Sequence, residues 1–204
     1  MEFFLVQLFN GVSYGLLLFM LSSGLTLVFS LMGVLNFAHA SFYMLGAYFA
    51  FQISTWTGFW AGLVVAPLLV GALGMLVERV GLRRVHAHGH VAELLFTFGL
   101  AYLIEEAVHL IWGRAALPYH VPAALDGPLF QIADSPYPMY RVFMMLISVS
   151  MLVAVWLTLT RTRIGLVIQA ALTHPDTVQA LGHNVPRIFM LVFGGGAALA
   201  GLAG

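Results

Sequence analysis

The chain contains no cysteine and no lysine, and it carries little charge of either sign: eight arginines stand against eight carboxylates in 204 residues. Without cysteine there is neither a disulfide framework nor a thiolate metal site. Without lysine there is no Schiff-base chemistry and no Gly-Lys-Ser/Thr phosphate loop, so the chain does not bind ATP in that way. A formal net charge of zero gives no reason to expect nucleic acid as a partner. Charge is scarcest at the start. From Phe3 to Val77 there are 75 residues without Asp, Glu, Lys or Arg, leaving His39 as the titratable side chain of note. A water-facing helix or strand needs a polar face, and this stretch has nothing to build one from.

What the chain has instead is apolar length. It is 61% hydrophobic and 8% charged, where an ordinary globular domain carries roughly 25% charged residues. A membrane-spanning helix needs about 20 mainly apolar residues. Lipid is therefore the solvent for most of this polypeptide. A cleaved signal peptide wants a basic start and a short apolar core. Met1-Glu2 supplies no base and the apolar run continues to Met32, so the first segment is expected to be a retained span.

About six apolar segments follow one another in a single transmembrane domain over residues 1–204, an all-α polytopic helix bundle. The first runs from Phe3 to about Met32, and it could tilt, bend or be interrupted at Ser22-Ser23-Gly24. The second, Phe37 to Ile53, is short enough either to cross or to re-enter. Phe59 to Val77 (with Pro67 inside it), Leu94 to Trp112 and Val142 to Thr160 come next, and a last segment begins at Ile188 and ends at Gly204. An apolar segment without a basic stop or a tail suggests a chain truncated before further spans. Three arginines lie in the loop at about 79–92 and three in the loop at about 161–187. Two spans separate these loops, so both face one side, and the positive-inside rule makes that side cytoplasmic. The Pro-rich loop at about 113–140 is then external. The N-terminus is outside if residues 37–53 cross, as favoured here, and inside if they re-enter.

Three local patterns together resemble one family. The first is Gly24-Leu25-Thr26-Leu27-Val28-Phe29 leading into Gly33-Val34-Leu35-Asn36-Phe37-Ala38-His39 and Tyr43-Met44-Leu45-Gly46-Ala47-Tyr48. The second is Glu78-Arg79, Leu82-Arg83-Arg84 and Leu95-Phe96-Thr97-Phe98-Gly99-Leu100. The third is Arg161-Thr162-Arg163-Ile164-Gly165 through Gly182-His183-Asn184-Val185 to Ala198-Leu199-Ala200-Gly201-Leu202-Ala203-Gly204. In order and spacing these resemble the LivH/LivM-type permease subunits of branched-chain amino acid ABC importers, the LivH branch most closely. The resemblance implies ABC ATPase subunits that use the ATP, a homologous second permease subunit and an extracytoplasmic solute-binding protein as partners. It implies no cofactor and no chemistry in this chain.

Permeases of this kind carry a loop of Glu-Ala-Ala, three residues, then Gly, whose short helix docks on the ATPase. The matching positions read Asp176-Thr177-Val178, Gln179-Ala180-Leu181, Gly182, so the acid and the glycine keep their spacing while both alanines are replaced. Arginines that the family often has at the positions of Leu166 and Gln169 are missing. Gly165, Pro175, Asp176, Gly182 and Asn184 are thus the expected ATPase-coupling residues; a plain polar connector is the alternative. Pro175 and Asp176 suit a helix N-terminus, Gly182 suits its C-terminal cap, and Val178 and Leu181 would share an apolar edge for a partner.

Asn36, His39, Thr97, Glu105, Glu106 and His109 are the candidate pathway or intramembrane polar groups. Each has a structural alternative, since a polar side chain in lipid must be satisfied by protein or water. The alternately spaced His86, His88 and His90 lie among arginines and are not expected to bind metal. Gly194, Gly195, Gly196, Ala200 and Gly201 belong to a small-residue run that permits close helix packing. Two classes remain open at this point. One is the ATP-driven importer subunit; the other is an ion-gradient-driven transporter or channel using Glu105, Glu106 and His109 as proton carriers.

Overall fold

The computed structural model describes residues 2–33, 35–132 and 135–204, so Val34 of the first motif and Asp134 of the Pro-rich loop lie outside the described residues. The chain is a bundle of helices. In order these are α1 (Glu2–Met32), α2 (His39–Thr57), α3 (Phe59–Val77), α4 (Arg83–His86), α5 (His90–Trp112), α6 (Met139–Arg161), α7 (Arg163–Thr173), α8 (Pro175–Ala180) and α9 (Val185–Ala203). A π-helical turn, Glu78–Leu82, joins α3 to α4 without a break. Among the described residues five helical stretches are long and apolar enough to cross a membrane: Val6–Ser30, Phe59–His86, His90–Trp112, Met139–Arg161 and Val185–Ala203. These confirm an all-α membrane bundle. The remaining apolar segment, α2, has span length but is more polar, with His39, Gln52, Ser54, Thr55 and Thr57 along its 19 residues.

Several expectations need correction. The first helix is continuous through Ser22-Ser23-Gly24, because the serine hydroxyls donate back to carbonyls of their own helix (Ser22 to Phe19, Ser23 to Met20) and open no gap. The last helix starts at Val185 rather than Ile188: Asn184 caps it, its side-chain oxygen accepting from Arg187 N–H at 3.0 Å. The Pro-rich loop adds a small antiparallel hairpin, β1 (Pro128–Ile132) paired with β2 (Ser135–Pro138). Tyr137 of this hairpin is buried against α1, its hydroxyl 2.8 Å from Ser13 Oγ and 3.3 Å from the Phe9 carbonyl. The hairpin therefore fixes which end of α1 it shares.

At the centre stands α9, packed against α1, α2 and α3. Its small residues allow that. Gly196 meets Gly24 and Val28 of α1, Gly194 meets Gly71 and Met75 of α3, and Gly201 meets Val70 of α3 and Gly46 of α2. Ala200 is fully buried. Gly195 differs from its neighbours, since a Cβ there would touch nothing within 4 Å among the described residues. Phe42, Phe193, Val28 and Val70 fill the core around this seam.

Candidate functional site

Two regions concentrate polar side chains, an elbow inside the bundle and a connector at its arginine-bearing end. The elbow forms where α1 stops and α2 begins. Gly33, at φ 67°, closes α1 with its N–H on the Phe29 carbonyl at 2.9 Å, and Leu35–Ala38 then run outside helical geometry. This stretch does not lie at the end of the bundle. His39 sits beside Leu21 and Gly24 of α1, two to three turns back from Met32. Thr97 of α5, which also meets it, is seven residues from His90, or about 10 Å along the helix. Non-helical backbone at such depth persists only where protein satisfies its polar groups.

The named side chains do that. Phe37 N–H donates to Thr97 Oγ1 at 3.3 Å, and the Thr97 hydroxyl faces the carbonyls of Leu35 at 3.4 Å and Leu94 at 3.1 Å. Asn36 Oδ1 accepts from Ala38 N–H at 3.1 Å, and the Asn36 carbonyl from His39 N–H at 3.1 Å. His39 Nε2 donates to the Leu21 carbonyl at 3.0 Å, so in the neutral ring Nδ1 is the acceptor, and it has no hydrogen-bond partner among the described residues. All three side chains are buried. A Cβ on Gly24 would stand 2.9 Å from His39 Cε1 and would collide with the Gly196 carbonyl. Asn36, His39 and Thr97 are thus brought together as an elbow wedged between α1, α5 and α9.

Glu105, Glu106 and His109 are elsewhere. They lie toward the other end of α5; Glu105 and Glu106 are on a face that this chain leaves open, the Glu106 side chain being 63% exposed, while His109 is half-buried. Glu106 Oε1 is 3.9 Å from His109 Nδ1 and 3.8 Å from Arg114 Nη2. These acids do not join the elbow.

At the arginine-bearing end, α6 turns sharply into α7 at Thr162, whose hydroxyl accepts from Gly165 N–H at 3.1 Å. Gly165 is buried against the Thr158 and Leu159 carbonyls and leaves no room for a side chain, so its place is this corner. Pro175 and Asp176 form the first turn of α8. Its far end is a Schellman cap: His183 N–H reaches the Val178 carbonyl at 3.2 Å, Gly182 N–H reaches that of Gln179 at 3.0 Å, and Gly182 has φ 88°. The expected Val178–Leu181 edge is split. Val178 is buried with Ala171 and Val185 in a small cluster under α7 and α9, because the tight turn folds α8 onto its neighbours, while Leu181 is 74% exposed. Asp176, Thr177, Gln179, Ala180 and Leu181 form the open side of α8.

Two buried carboxylates complete this end. Glu78 takes a bidentate pair from Arg83, Nε to Oε1 at 3.2 Å and Nη2 to Oε2 at 2.8 Å, and Arg83 Nη2 also donates to the Pro186 carbonyl at 2.7 Å. Glu93 holds His86, and holds His90 at 3.2 Å, so two of the three alternating histidines serve a carboxylate of α5. Sequence reasoning missed both. An α-helix places residues five apart about 140° from one another, and only the π-helical turn brings Arg83 over Glu78. The available signal was an acid and a base facing each other at the edge of a long uncharged run.

A bundle of membrane-crossing helices, with an irregular polar elbow inside it and a structured connector at one end, is the architecture of a polytopic membrane protein. The family described as the branched-chain amino acid transport system permease component matches residues 7–204, and the chain belongs to that family. Its relatives include LivH of Salmonella typhimurium, a high-affinity branched-chain amino acid transport system permease protein, at 28% identity over 99% of this chain and 70% of the relative. LivH of Escherichia coli K12 is 29% identical over the same shares. BraD of Pseudomonas aeruginosa PAO1 is 29% identical over 98% of this chain and 69% of the relative. No solved structure matches the chain. With five helices able to cross, the protein is a multi-pass component of the cytoplasmic membrane.

Proposed function

We propose that this chain is the permease subunit of an ABC importer that moves branched-chain amino acids, or small polar solutes related to them, with separate ATPase subunits supplying the energy through α8. The observation that carries this is the geometry of the connector. A proline-started, Schellman-capped short helix stands open on one side at the arginine-bearing end, with its inner side anchored by Val178 to α7 and α9. A helix held in that way can transmit a push from a docked motor instead of bending away. By the positive-inside rule this end is cytoplasmic, and the hairpin end faces a solute-binding protein outside. The hairpin shares its side with the start of α1, so on this reading the N-terminus is external and α2 crosses. The second permease subunit, homologous to this one, supplies the cover that the open Glu105–Glu106 face needs in lipid. The chain itself binds no nucleotide and performs no chemistry.

The elbow fits the same reading: it is an unwound stretch inside the bundle whose buried, uncharged side chains hold its own backbone, with His39 Nδ1 unpartnered among the described residues. The test is association with the cognate ATPase pair, comparing the parent chain with Gly182→Pro, alongside uptake in reconstituted vesicles. Association and ATP-dependent uptake lost on Gly182→Pro, with the protein still folded, supports docking through α8. Unchanged association and uptake contradicts it, and uptake without any ATPase would favour the gradient-driven class.

A further inference from the structure

The α9 helix joins the α8 connector to the elbow. Its first turn follows directly on Gly182–Asn184, and eleven residues later Gly196 presses against Gly24 and, through it, His39. The start of α9 is held within the connector by the Ala171–Val178–Val185 cluster, and a second contact holds it from outside. Arg83 grips the buried Glu78 with two nitrogens and at the same time donates to the carbonyl of Pro186. Arg83 is suited to this because its planar fork satisfies a carboxylate bidentately and still has a donor to spare. The π-helical turn aims it there.

The clamp lies beside a cleft of about 230 Å³, lined among others by Met32 of α1, Gln179 of α8 and Phe189 of α9. The ends of α1, α8 and α9 and the π-helical turn therefore line one cleft beside this guanidinium. The middle of α9 is close-packed on α3 through Gly194 and Gly201, and at its start the clamp adds polar contacts beside open volume.

We propose that Arg83 is a positioning residue for energy coupling: the Glu78–Arg83–Pro186 clamp holds the start of α9 to the end of α3, so that movement of α8 is passed along α9 to the Gly196–Gly24–His39 contact. The proposal rests on the docking role of α8 stated above. It makes Arg83 a residue that decides how much transport each ATP yields, without touching substrate or nucleotide.

The experiment uses the whole complex, this chain with its second permease subunit, ATPases and binding protein, in proteoliposomes. ATP hydrolysed and amino acid accumulated are measured in the same sample. Arg83→Lys keeps the cation and loses the fork; Glu78→Gln with Arg83→Gln removes the clamp without stranding a buried charge. Both are expected to assemble as the parent does by size exclusion, while ATP consumed per molecule imported rises about fivefold, the low end of usual coupling effects. A parental ratio in both variants overturns the inference, as does failure of either to assemble, which would make the clamp a folding contact only. If the parent complex itself imports without ATPases, the α8 reading falls and this inference with it. ATP-driven import with an unchanged ratio in the variants sinks the inference alone.

Discussion

Replacing Thr97 by valine isolates the contribution of the elbow's hydrogen bonds from its packing. Valine has nearly the shape of threonine, and the site is fully buried, so van der Waals contacts are retained. What is removed is the acceptor for Phe37 N–H at 3.3 Å and the hydroxyl facing the Leu35 and Leu94 carbonyls. Leu94 keeps its helical partner. The Phe37 N–H, whose bond to Thr97 is part-buried, is left without its acceptor, which costs about 1–3 kcal/mol. Loss of the long Leu35 contact adds less. The folded-to-unfolded ratio should therefore fall roughly 5- to 150-fold, at a factor of ten per 1.4 kcal/mol. Thr97→Ser keeps the hydroxyl, loses one methyl and should cost about 1 kcal/mol. Reversible unfolding of the purified protein in mixed detergent micelles measures both. A valine variant as stable as the parent, or less affected than the serine variant, would refute the claim that Thr97 satisfies unwound backbone inside the membrane.

Other substitutions test neighbouring parts of the account. Gly24→Ala forces a methyl group against the Gly196 carbonyl and the His39 ring, and overpacking of this kind should cost about 1–3 kcal/mol in the same unfolding assay. Gly195→Ala, where a Cβ meets nothing within 4 Å among the described residues, should raise stability by about 0.5–1 kcal/mol, since glycine inside a helix is costly relative to alanine. Tyr137→Phe removes the hydroxyl from Ser13 and the Phe9 carbonyl, an expected loss of about 1 kcal/mol, and should make the hairpin more open to limited proteolysis. Gly182→Ala puts a side chain at φ 88°, which costs about 1–2 kcal/mol. Hydrogen exchange should accelerate over residues 175–183 with global stability little changed.

The membrane architecture was legible because it rests on composition: a long uncharged run admits no water-facing element, and arginines gathered in two loops mark one side. The cap positions of α8 were legible for a similar local reason, since proline and glycine have restricted roles at helix ends, whereas the Asn184 cap of α9 was not, and that helix was expected to start at Ile188. What could not be read is contact between distant segments. Val178 was expected to face a partner, but tertiary packing under α7 and α9 claims it. Which of the candidate polar groups meet was also not legible: α5 carries Thr97 into the elbow and Glu105 and His109 far from it along its length. The Glu78–Arg83 pair was hidden because it depends on a π-helical turn, which no propensity rule assigned to this stretch. The hairpin over α1 was hidden too, as its prolines read only as loop.

The central claim is that the connector bearing α8 and the loop at 79–92 share the cytoplasmic face, opposite the hairpin. The absence of native cysteine allows a direct measurement with single substitutions at exposed positions, His88→Cys, Thr173→Cys and Ala124→Cys, probed with a membrane-impermeant maleimide. The account predicts that Ala124→Cys reacts in intact cells, and that His88→Cys and Thr173→Cys react only after the membrane is opened. Reaction of His88→Cys and Thr173→Cys from opposite sides would contradict it.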